Sequence, residues 1–272
     1  MRAPRFDARL LQVGTAEHID ALRLQGALLA DAADEVGLYA HVPTCPDWTV
    51  RDLLWHVGTL HRWAKTIVTQ RRTSPPADAE VDLIAGPIPD DALLIEWYRE
   101  SHSQLLRVLE TEPADLSCWQ LFDAASALEG WARHQAHETT IHRVDAESAR
   151  GDEISPIDAN LASDGINSLL HGFHGSPASN VRSPLPKTLR LHATDELLDG
   201  GDWFIHISSQ APITTRTATG PADCTISGPV ELLYLALWNR CRTDDLSVSG
   251  DNSVVKLWHE LSPVEWPLLT RT

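Results

Sequence analysis

Positive charge, cysteine and long apolar runs are all scarce in this sequence of 272 residues. It contains 22 Lys and Arg against 38 Asp and Glu, a formal net charge of -16, so the phosphate backbone of a nucleic acid would be repelled. The four cysteines are scattered and form no CxxC pair, which argues against a disulfide framework. No stretch approaches the roughly 18 apolar residues of a membrane span, and the N-terminus leads into no signal sequence. We therefore expect a cytoplasmic protein without nucleic-acid or membrane partners.

The first half of the chain has the apolar periodicity of helices, and the pattern changes near residue 150. A capping box, Thr49 followed by Asp52, marks the start of the second helix. The helices are expected at Thr15 to Val36, from Thr49 to about Val68, at Asp91 to Leu109 and at about Ala124 to Ala149. Four antiparallel helices of this length predict a four-helix bundle, whose interior is a common place for a metal site.

The second half of the chain contains segments with helical periodicity and segments with the alternating pattern of strands. Helices are expected at Asp158 to Leu170, Val230 to Arg240 and Asn252 to His259, and strands at Leu189 to Ala193, Trp203 to Ile207, Cys224 to Ser227 and Leu246 to Val248. The helix from Val230 is apolar on nearly all sides and is expected to be buried. The sequence thus predicts an α+β protein with two domains, a helical bundle at 1–152 and a smaller mixed α+β domain at 153–272.

The fourth helix carries a glutamate and a histidine four residues apart, Glu138 and His142. Side chains at this spacing lie on one face of a helix, where a carboxylate and an imidazole can hold one metal ion. His56 lies among the apolar residues of the second helix and is expected to point inward. With His56 as third ligand, one coordination position would stay open, as in catalytic zinc sites.

The same residues are also compatible with a structural role that involves no metal. A Glu/His pair at this spacing occurs on exposed helix faces, and a buried histidine such as His56 can be a satisfied core residue. His134, one turn before Glu138, is a competing ligand. Weaker candidates, expected at surface or loop positions, are His61, His137, His171 and His174. Core packing is expected for Trp48, Trp55, Trp63 and Trp131, and structural ion pairs for Arg133, Arg143 and Asp145.

Three stretches resemble the mycothiol-dependent maleylpyruvate isomerase family. The segment from Val42 to His56 is similar to the entry into that family's second helix, and Arg133 to Glu147 resembles its fourth-helix motif. The stretches Leu235 to Arg240 and Val248 to Asp251 are similar to parts of its second domain. The likeness runs through nearly the whole chain in the same order.

The resemblance implies a DinB-like bundle joined to a domain related to sterol-carrier folds. It also implies a divalent metal, zinc by preference, at His56, Glu138 and His142, with mycothiol as thiol cosubstrate. An arginine after the buried C-terminal helix contributes to activity in the family, and the matching residue is Arg240. The family usually has glycine before that arginine, whereas this chain has Asn239. Without the resemblance, Arg240 can equally be a cation that caps the carbonyls of a helix C-terminus.

Three functions follow from these residues. The first is cis–trans isomerisation or S-transfer on a small, electrophilic, carboxylate-bearing substrate, in which a metal-bound thiol is the nucleophile and Arg240 holds the carboxylate. The second is a metal-dependent hydrolase with zinc-bound hydroxide. The third is a non-catalytic module that binds a metal or an apolar ligand. We expect a monomer or a small homo-oligomer.

Overall fold

The computed structural model describes residues 13–151, 154–195, 201–218, 220–241 and 243–264. The chain divides into two compact units, Thr15–Pro156 and Ile157–Pro263. The first unit is helical and the second combines helices with a five-stranded sheet, which confirms the predicted α+β class. Among the described residues, no helix is both long and apolar enough to span a membrane.

The helical unit contains four long helices and one short one: α1 (Thr15–Val36), α2 (Val50–Thr69), α3 (Asp78–Ala85), α4 (Asp91–Thr111) and α5 (Ala127–Ser148). The predicted limits of α1 are confirmed. Helix α3 was not expected. Its eight residues lie between prolines, in a stretch that the sequence pattern predicts to be a polar connection.

The sequence signals at the helix starts are visible as hydrogen bonds. Before α2, the Asp52 carboxylate accepts a bond from the Thr49 backbone N–H at 2.9 Å, and the Thr49 hydroxyl oxygen accepts one from the Asp52 N–H at 3.4 Å. Before α5, the Ser126 hydroxyl oxygen accepts a bond from the Glu129 N–H at 3.2 Å. Helix α5 therefore begins at Ala127, three residues after the expected start at Ala124.

The bundle is arranged so that α1 and α2 each contact both α4 and α5. Apolar side chains on the facing sides form two clusters, one that includes Trp63 and Trp131 and one that includes Leu53 and Val57. Both halves of α2 share these clusters with α5, since Leu53 and Val57 lie in the cluster of Ala146 and Trp63 lies in the cluster of Trp131. The two helices that carry the candidate ligands are thus neighbours.

The second unit is built around a mixed sheet. Its elements are α6 (Ala159–Ser168), a π-helical turn (Leu169–Phe173), β1 (Lys187–Ala193), β2 (Asp202–Ile207), β3 (Ile213–Thr215), β4 (Cys224–Gly228), α7 (Val230–Leu237), β5 (Ser247–Gly250) and α8 (Asn252–Leu261). The strand order is β3-β2-β1-β4-β5, in which β1 and β4 are parallel and the other neighbours antiparallel.

One face of this sheet is apolar and lies in the core of the unit. Leu189 and Leu191 of β1 are paired with Ile205 and Trp203 of β2, and all four side chains are buried. Helices α7 and α8 contact β1 and β4. Most strand residues between these buried positions are only half-buried, because successive side chains of a strand point to opposite faces of the sheet. Strand β3 was not expected, because three residues are too short for a recognisable alternation.

Candidate metal centre

Helices α2 and α5 bring the three predicted ligands together. Glu138 and His142 lie one turn apart on α5, and His56 faces them from the second turn of α2. One potential ligand atom from each side chain lies within 4.8 Å of the other two. A cation placed among them would therefore contact two imidazole nitrogens and one carboxylate oxygen.

The distances between the ligand atoms are those of a coordination polyhedron. Glu138 Oε1 lies 3.8 Å from His56 Nε2 and 3.4 Å from His142 Nε2. Both separations exceed the usual 2.7–3.2 Å of a hydrogen bond to nitrogen. Metal–ligand bonds of 2.0–2.1 Å in a tetrahedron give ligand–ligand distances of about 3.4 Å. The three atoms are spaced for a cation between them.

All three side chains are buried, and their charges depend on one another. Burial lowers the pKa of His56 despite the neighbouring Glu138 carboxylate. For Glu138, burial raises the pKa, but the imidazoles of His142 and His56 outweigh it and hold the pKa well below its usual range. For His142, burial alone would lower the pKa, but the hydrogen bond to Asp145 and the nearby Glu138 carboxylate outweigh burial and raise the pKa to about 9. Glu138 is therefore ionised at neutral pH, which is the state that a carboxylate ligand needs to bind a metal.

Asp145 fixes the orientation of the His142 ring. Its Oδ2 lies 2.8 Å from His142 Nδ1, and the carboxylate is fully buried. Because Nδ1 is hydrogen-bonded to Asp145, Nε2, which faces Glu138, is the nitrogen that can bind a metal once the metal displaces its proton. The prediction that Asp145 forms a structural ion pair is thus incomplete, because its partner is a candidate ligand.

Trp48 lies against both candidate histidine ligands. The centroid of its ring is 4.8 Å from that of His56 and 6.0 Å from that of His142, with the second pair nearly parallel at 18°. Its side chain is only half-buried. Trp48 nevertheless packs against the apolar cluster that includes Leu53 and Val57, so its expected core packing is confirmed. Trp63 and Trp131 are buried as expected, whereas Trp55 is only half-buried.

The remaining histidines take positions that the sequence did not indicate. His134, the predicted competitor, is buried with its ring beside Phe122 and Trp131, apart from the group of three. Surface or loop positions were expected for His61, His137 and His174. This was wrong for His61 and His137, which are buried within α2 and α5, whereas His174 lies in a turn as expected but is also buried. His61 is hydrogen-bonded to Thr139 at 2.9 Å. His171 is exposed, as expected.

Arg240 lies in the second unit, just after α7. That helix ends at Leu237, so the expected end at Arg240 was three residues too late. The Arg240 guanidinium donates a hydrogen bond to the Trp238 carbonyl at 2.8 Å. Asn239 has a φ of 58°, the left-handed conformation in which glycine is favoured. This conformation ends the helix and explains why a glycine would also fit at position 239.

Sequence reasoning missed two side chains at the centre, Asp145 and Trp48. The signal for Asp145 was its position three residues after His142, which places a carboxylate within reach of the outer nitrogen of that ring. The signal for Trp48 was weaker, because it lies in the connection before α2 and the course of a loop cannot be derived from apolar periodicity.

Comparisons with known proteins identify the family of this chain and agree with its fold. Residues 19–147 match the model of the mycothiol maleylpyruvate isomerase N-terminal domain, and residues 160–256 match the model of the C-terminal domain of the same enzyme family. A crystal structure of the mycothiol-dependent maleylpyruvate isomerase superposes with a TM-score of 0.58 at 15% sequence identity, over 86% of this chain and 92% of that chain. A histidine-to-alanine mutant of the same enzyme also gives a TM-score of 0.58, at 14% identity and the same coverage. No curated protein matches the sequence.

Proposed function

The chain belongs to the mycothiol maleylpyruvate isomerase family, and from this membership we propose that it is a metal-dependent enzyme that uses a low-molecular-weight thiol. The thiol is mycothiol, and the reaction is cis–trans isomerisation or S-transfer. The substrate is a small electrophile that carries a carboxylate. The observation that carries this proposal is the convergence of His56, Glu138 and His142 from two helices.

The residues present fit a divalent metal, and zinc is the metal we propose. Two imidazoles and one carboxylate are a ligand set of catalytic zinc sites, which keep a fourth position open. The spacing of 3.4 and 3.8 Å around Glu138 Oε1 supports this ligand set. His142 would bind through Nε2, because Nδ1 is taken by Asp145.

The chemistry needs a sulfur nucleophile at neutral pH. When bound, Zn²⁺ supplies it by lowering the pKa of a thiol at the open position. Reversible addition of a thiolate to a conjugated double bond gives an enolate in which the former double bond is single and can rotate. Elimination then releases the thiolate and the other isomer. The half-buried Trp48 ring lies beside the two imidazoles, and we expect it to restrict the approach of water from that side.

Arg240 is the residue that we propose for the substrate carboxylate. A guanidinium binds a carboxylate with two parallel hydrogen bonds and stabilises enolate charge as it develops. The geometry of Arg240 also agrees with a capping role, because it donates to a backbone carbonyl. We propose further that the chain consists of a bundle at 1–152, which holds the metal, and a mixed α+β domain at 153–272, which carries Arg240.

The proposal is tested by following maleylpyruvate with proton NMR in the presence of purified protein, Zn²⁺ and mycothiol. We expect conversion to the trans isomer only when both the metal and the thiol are present, and no conversion by His142→Ala. Hydrolysis of amide or ester substrates without thiol would instead indicate the hydrolase. Metal-loaded protein that is inert towards a panel of electrophiles, with and without thiol, would indicate a binding module. The cytoplasmic location and the monomeric or small homo-oligomeric state remain predictions.

A further inference from the structure

The loop from His41 to Thr49 (loop 41–49) is a compact structure that leads into α2. An isolated antiparallel bridge joins its two ends, and the Val42 N–H donates to the Trp48 carbonyl at 3.0 Å. Within the loop, the Trp48 N–H donates to the Cys45 carbonyl at 2.8 Å. The position of the Trp48 ring is therefore set by the hydrogen bonds of the whole loop. A contact that restrains the loop also restrains Trp48.

The Asp145 carboxylate is where this loop is attached to α5. The Thr44 hydroxyl donates to Asp145 Oδ1 at 2.6 Å, and the Cys45 thiol donates to Asp145 Oδ2 at 3.5 Å. The same Oδ2 accepts the hydrogen bond from His142 Nδ1. One fully buried carboxylate thus connects a candidate ligand to the loop. Bonds to a charged acceptor in a buried site are stronger than neutral ones, so this connection is a firm one.

His56 is oriented in a different way from His142. Its Nδ1 is buried and has no hydrogen-bond partner within the part of the chain that the structure describes. Its ring instead packs against the Trp48 ring, with centroids 4.8 Å apart. Van der Waals contact with Trp48, rather than a hydrogen bond, is the contact that restrains the outer face of this imidazole.

We propose that Asp145 is a positioning residue for both candidate imidazole ligands. It orients His142 directly through Nδ1, and it orients His56 indirectly by holding loop 41–49 so that Trp48 packs on the ring. This inference rests on the proposed metal site of His56, Glu138 and His142, and it adds a residue that determines how tightly the metal is held. Partners of this kind typically contribute a factor of about 10–100 in metal affinity.

The test measures the Zn²⁺ dissociation constant of metal-free protein by competition with a chromophoric chelator. We expect Asp145→Ala to weaken Zn²⁺ binding by about 10–100-fold. Asp145→Asn should weaken it less, because the amide oxygen can still accept from His142 Nδ1. Thr44→Val keeps the bond to His142 and removes the shorter of the two hydrogen bonds between the loop and Asp145, so its loss of affinity should be the smallest of the three.

Glu147→Gln is the matched control. Glu147 is a buried carboxylate on the same helix, paired with Arg143 at 2.6 Å, and it does not contact the three candidate ligands. Its neutralisation should lower stability while the Zn²⁺ affinity stays at the wild-type value. Equal losses of affinity in Glu147→Gln and Asp145→Asn would contradict the inference, because both would then reflect general destabilisation of α5.

A second readout follows Trp48 itself and needs no metal. The fluorescence emission of Trp48 is obtained by subtracting the spectrum of Trp48→Phe from that of the wild type. The same subtraction is made for Asp145→Asn and for Thr44→Val, each with its own Trp48→Phe double variant. Release of the loop should shift this emission to longer wavelength, as the ring becomes more exposed to water. An unshifted spectrum in both backgrounds would overturn the part of the inference that concerns the loop.

The outcomes separate this inference from the proposed function. A wild-type protein that binds no Zn²⁺ contradicts the proposed function. A wild type that binds Zn²⁺ with the same affinity as Asp145→Asn and Asp145→Ala leaves the proposed function intact and contradicts the inference alone. Circular dichroism of every variant identifies any that fail to fold, and Asp145→Asn, which is nearly isosteric, then replaces Asp145→Ala in the comparison.

Discussion

Asn239 occupies a backbone conformation that few residues other than glycine adopt without strain. Its φ is 58°, directly after the last turn of α7, and the residue that follows is Arg240. The side chain is used as well, since its amide contacts the His259 carbonyl at 3.3 Å and the His259 ring at 3.0 Å. Asparagine thus keeps the left-handed turn that a glycine would allow and adds contacts to the end of α8.

Substitutions at position 239 separate the backbone from the side chain. Asn239→Gly and Asn239→Ala both remove the contacts to α8, but only alanine has a Cβ that disfavours the left-handed conformation. We expect Asn239→Ala to be less stable than Asn239→Gly by about 1 kcal/mol in urea unfolding. Equal stability of the two variants would show that the positive φ is not a constraint at this position.

His174 makes the second unit sensitive to acid. Its side chain is 3% exposed, its ring contacts that of Trp258 at 4.8 Å, and burial lowers its pKa to about 4. An unfolded histidine has a pKa of about 6.5, so the unfolded state binds more protons between these values. Stability is therefore lost as the pH falls from about 6.5 to 4, by about 2 kcal/mol between pH 7 and pH 5.

This pH dependence is measured by urea unfolding of His174→Gln at pH 7 and pH 5. Glutamine does not titrate, so the loss of stability on acidification should be smaller than in the wild type by about 2 kcal/mol. His171→Gln is the control, because His171 is exposed and three residues away. The acid sensitivity does not come from His174 if His174→Gln and His171→Gln lose the same stability as the wild type.

The buried histidines show what the sequence can and cannot reveal about single residues. Helical spacing was sufficient to place Glu138 and His142 on one face, because that spacing is a property of the helix alone. It gave no reason to bury His61, whose burial depends on Thr139 of another helix as its hydrogen-bond partner. Polar residues enter a core only with such partners, and those partners are known only once the helices are packed.

The contact between α2 and α4 depends on a glycine. A Cβ at Gly58 would lie 2.1 Å from an atom of the Trp97 ring, so the helices approach closely at this point. The Trp97 ring has two further contacts. It stacks on the Trp55 ring, with centroids 4.9 Å apart, and it lies beneath the Arg62 guanidinium, whose carbon is 4.5 Å from the ring centroid. The ring has restricted room to move away from an added methyl group.

Gly58→Ala is expected to destabilise the bundle by about 1–3 kcal/mol, because the added atom overpacks the α2–α4 contact. In the interior of an unobstructed helix the same change would be stabilising by up to about 1 kcal/mol. Repeating Gly58→Ala in a Trp97→Ala background removes the obstruction, so the loss should disappear or change sign there. Thermal unfolding of the four proteins of this cycle provides the measurement. A stabilising effect of Gly58→Ala in the wild-type background would contradict the overpacking.

Elements with strong local signals were predicted well, and elements without them were not. Helix α1 has its predicted limits, and α2 begins at its capping box because the cap is formed by residues three apart. Helix α3 has eight residues and strand β3 has three, so both are too short to be stable alone and depend on contacts with neighbouring elements. Such elements are visible only in the folded chain.

At the scale of the whole molecule, the proposed metal site and the proposed carboxylate site belong to different parts of the chain. Arg240→Ala should retain wild-type Zn²⁺ binding while kcat/KM falls by about 100-fold or more, because a carboxylate and enolate contact is lost. Arg182→Ala is the control, since Arg182 also donates to backbone carbonyls within the second unit. A steady-state assay of both variants decides the role. Equal activity of Arg240→Ala and Arg182→Ala would indicate that Arg240 only caps α7.

The order along the chain of the stretches that resemble the family was more informative about the fold than any single stretch. His56 and Glu138 are far apart in sequence, and nothing in local periodicity states that their helices are neighbours. The resemblance to a known family supplied that long-range relation, and the domain models matched at 19–147 and 160–256 confirm the family. The attachment of loop 41–49 to Asp145 could not be predicted, because it depends on hydrogen bonds between a loop and a helix.

The metal content of purified protein tests the central claim most directly. Elemental analysis should find about one zinc per chain in the wild type and almost none in His56→Ala, since two remaining ligands hold zinc weakly. His134→Ala, which removes a buried histidine outside the group of three, should keep the wild-type content. Zinc that is retained by His56→Ala and lost from His134→Ala would contradict the site of His56, Glu138 and His142.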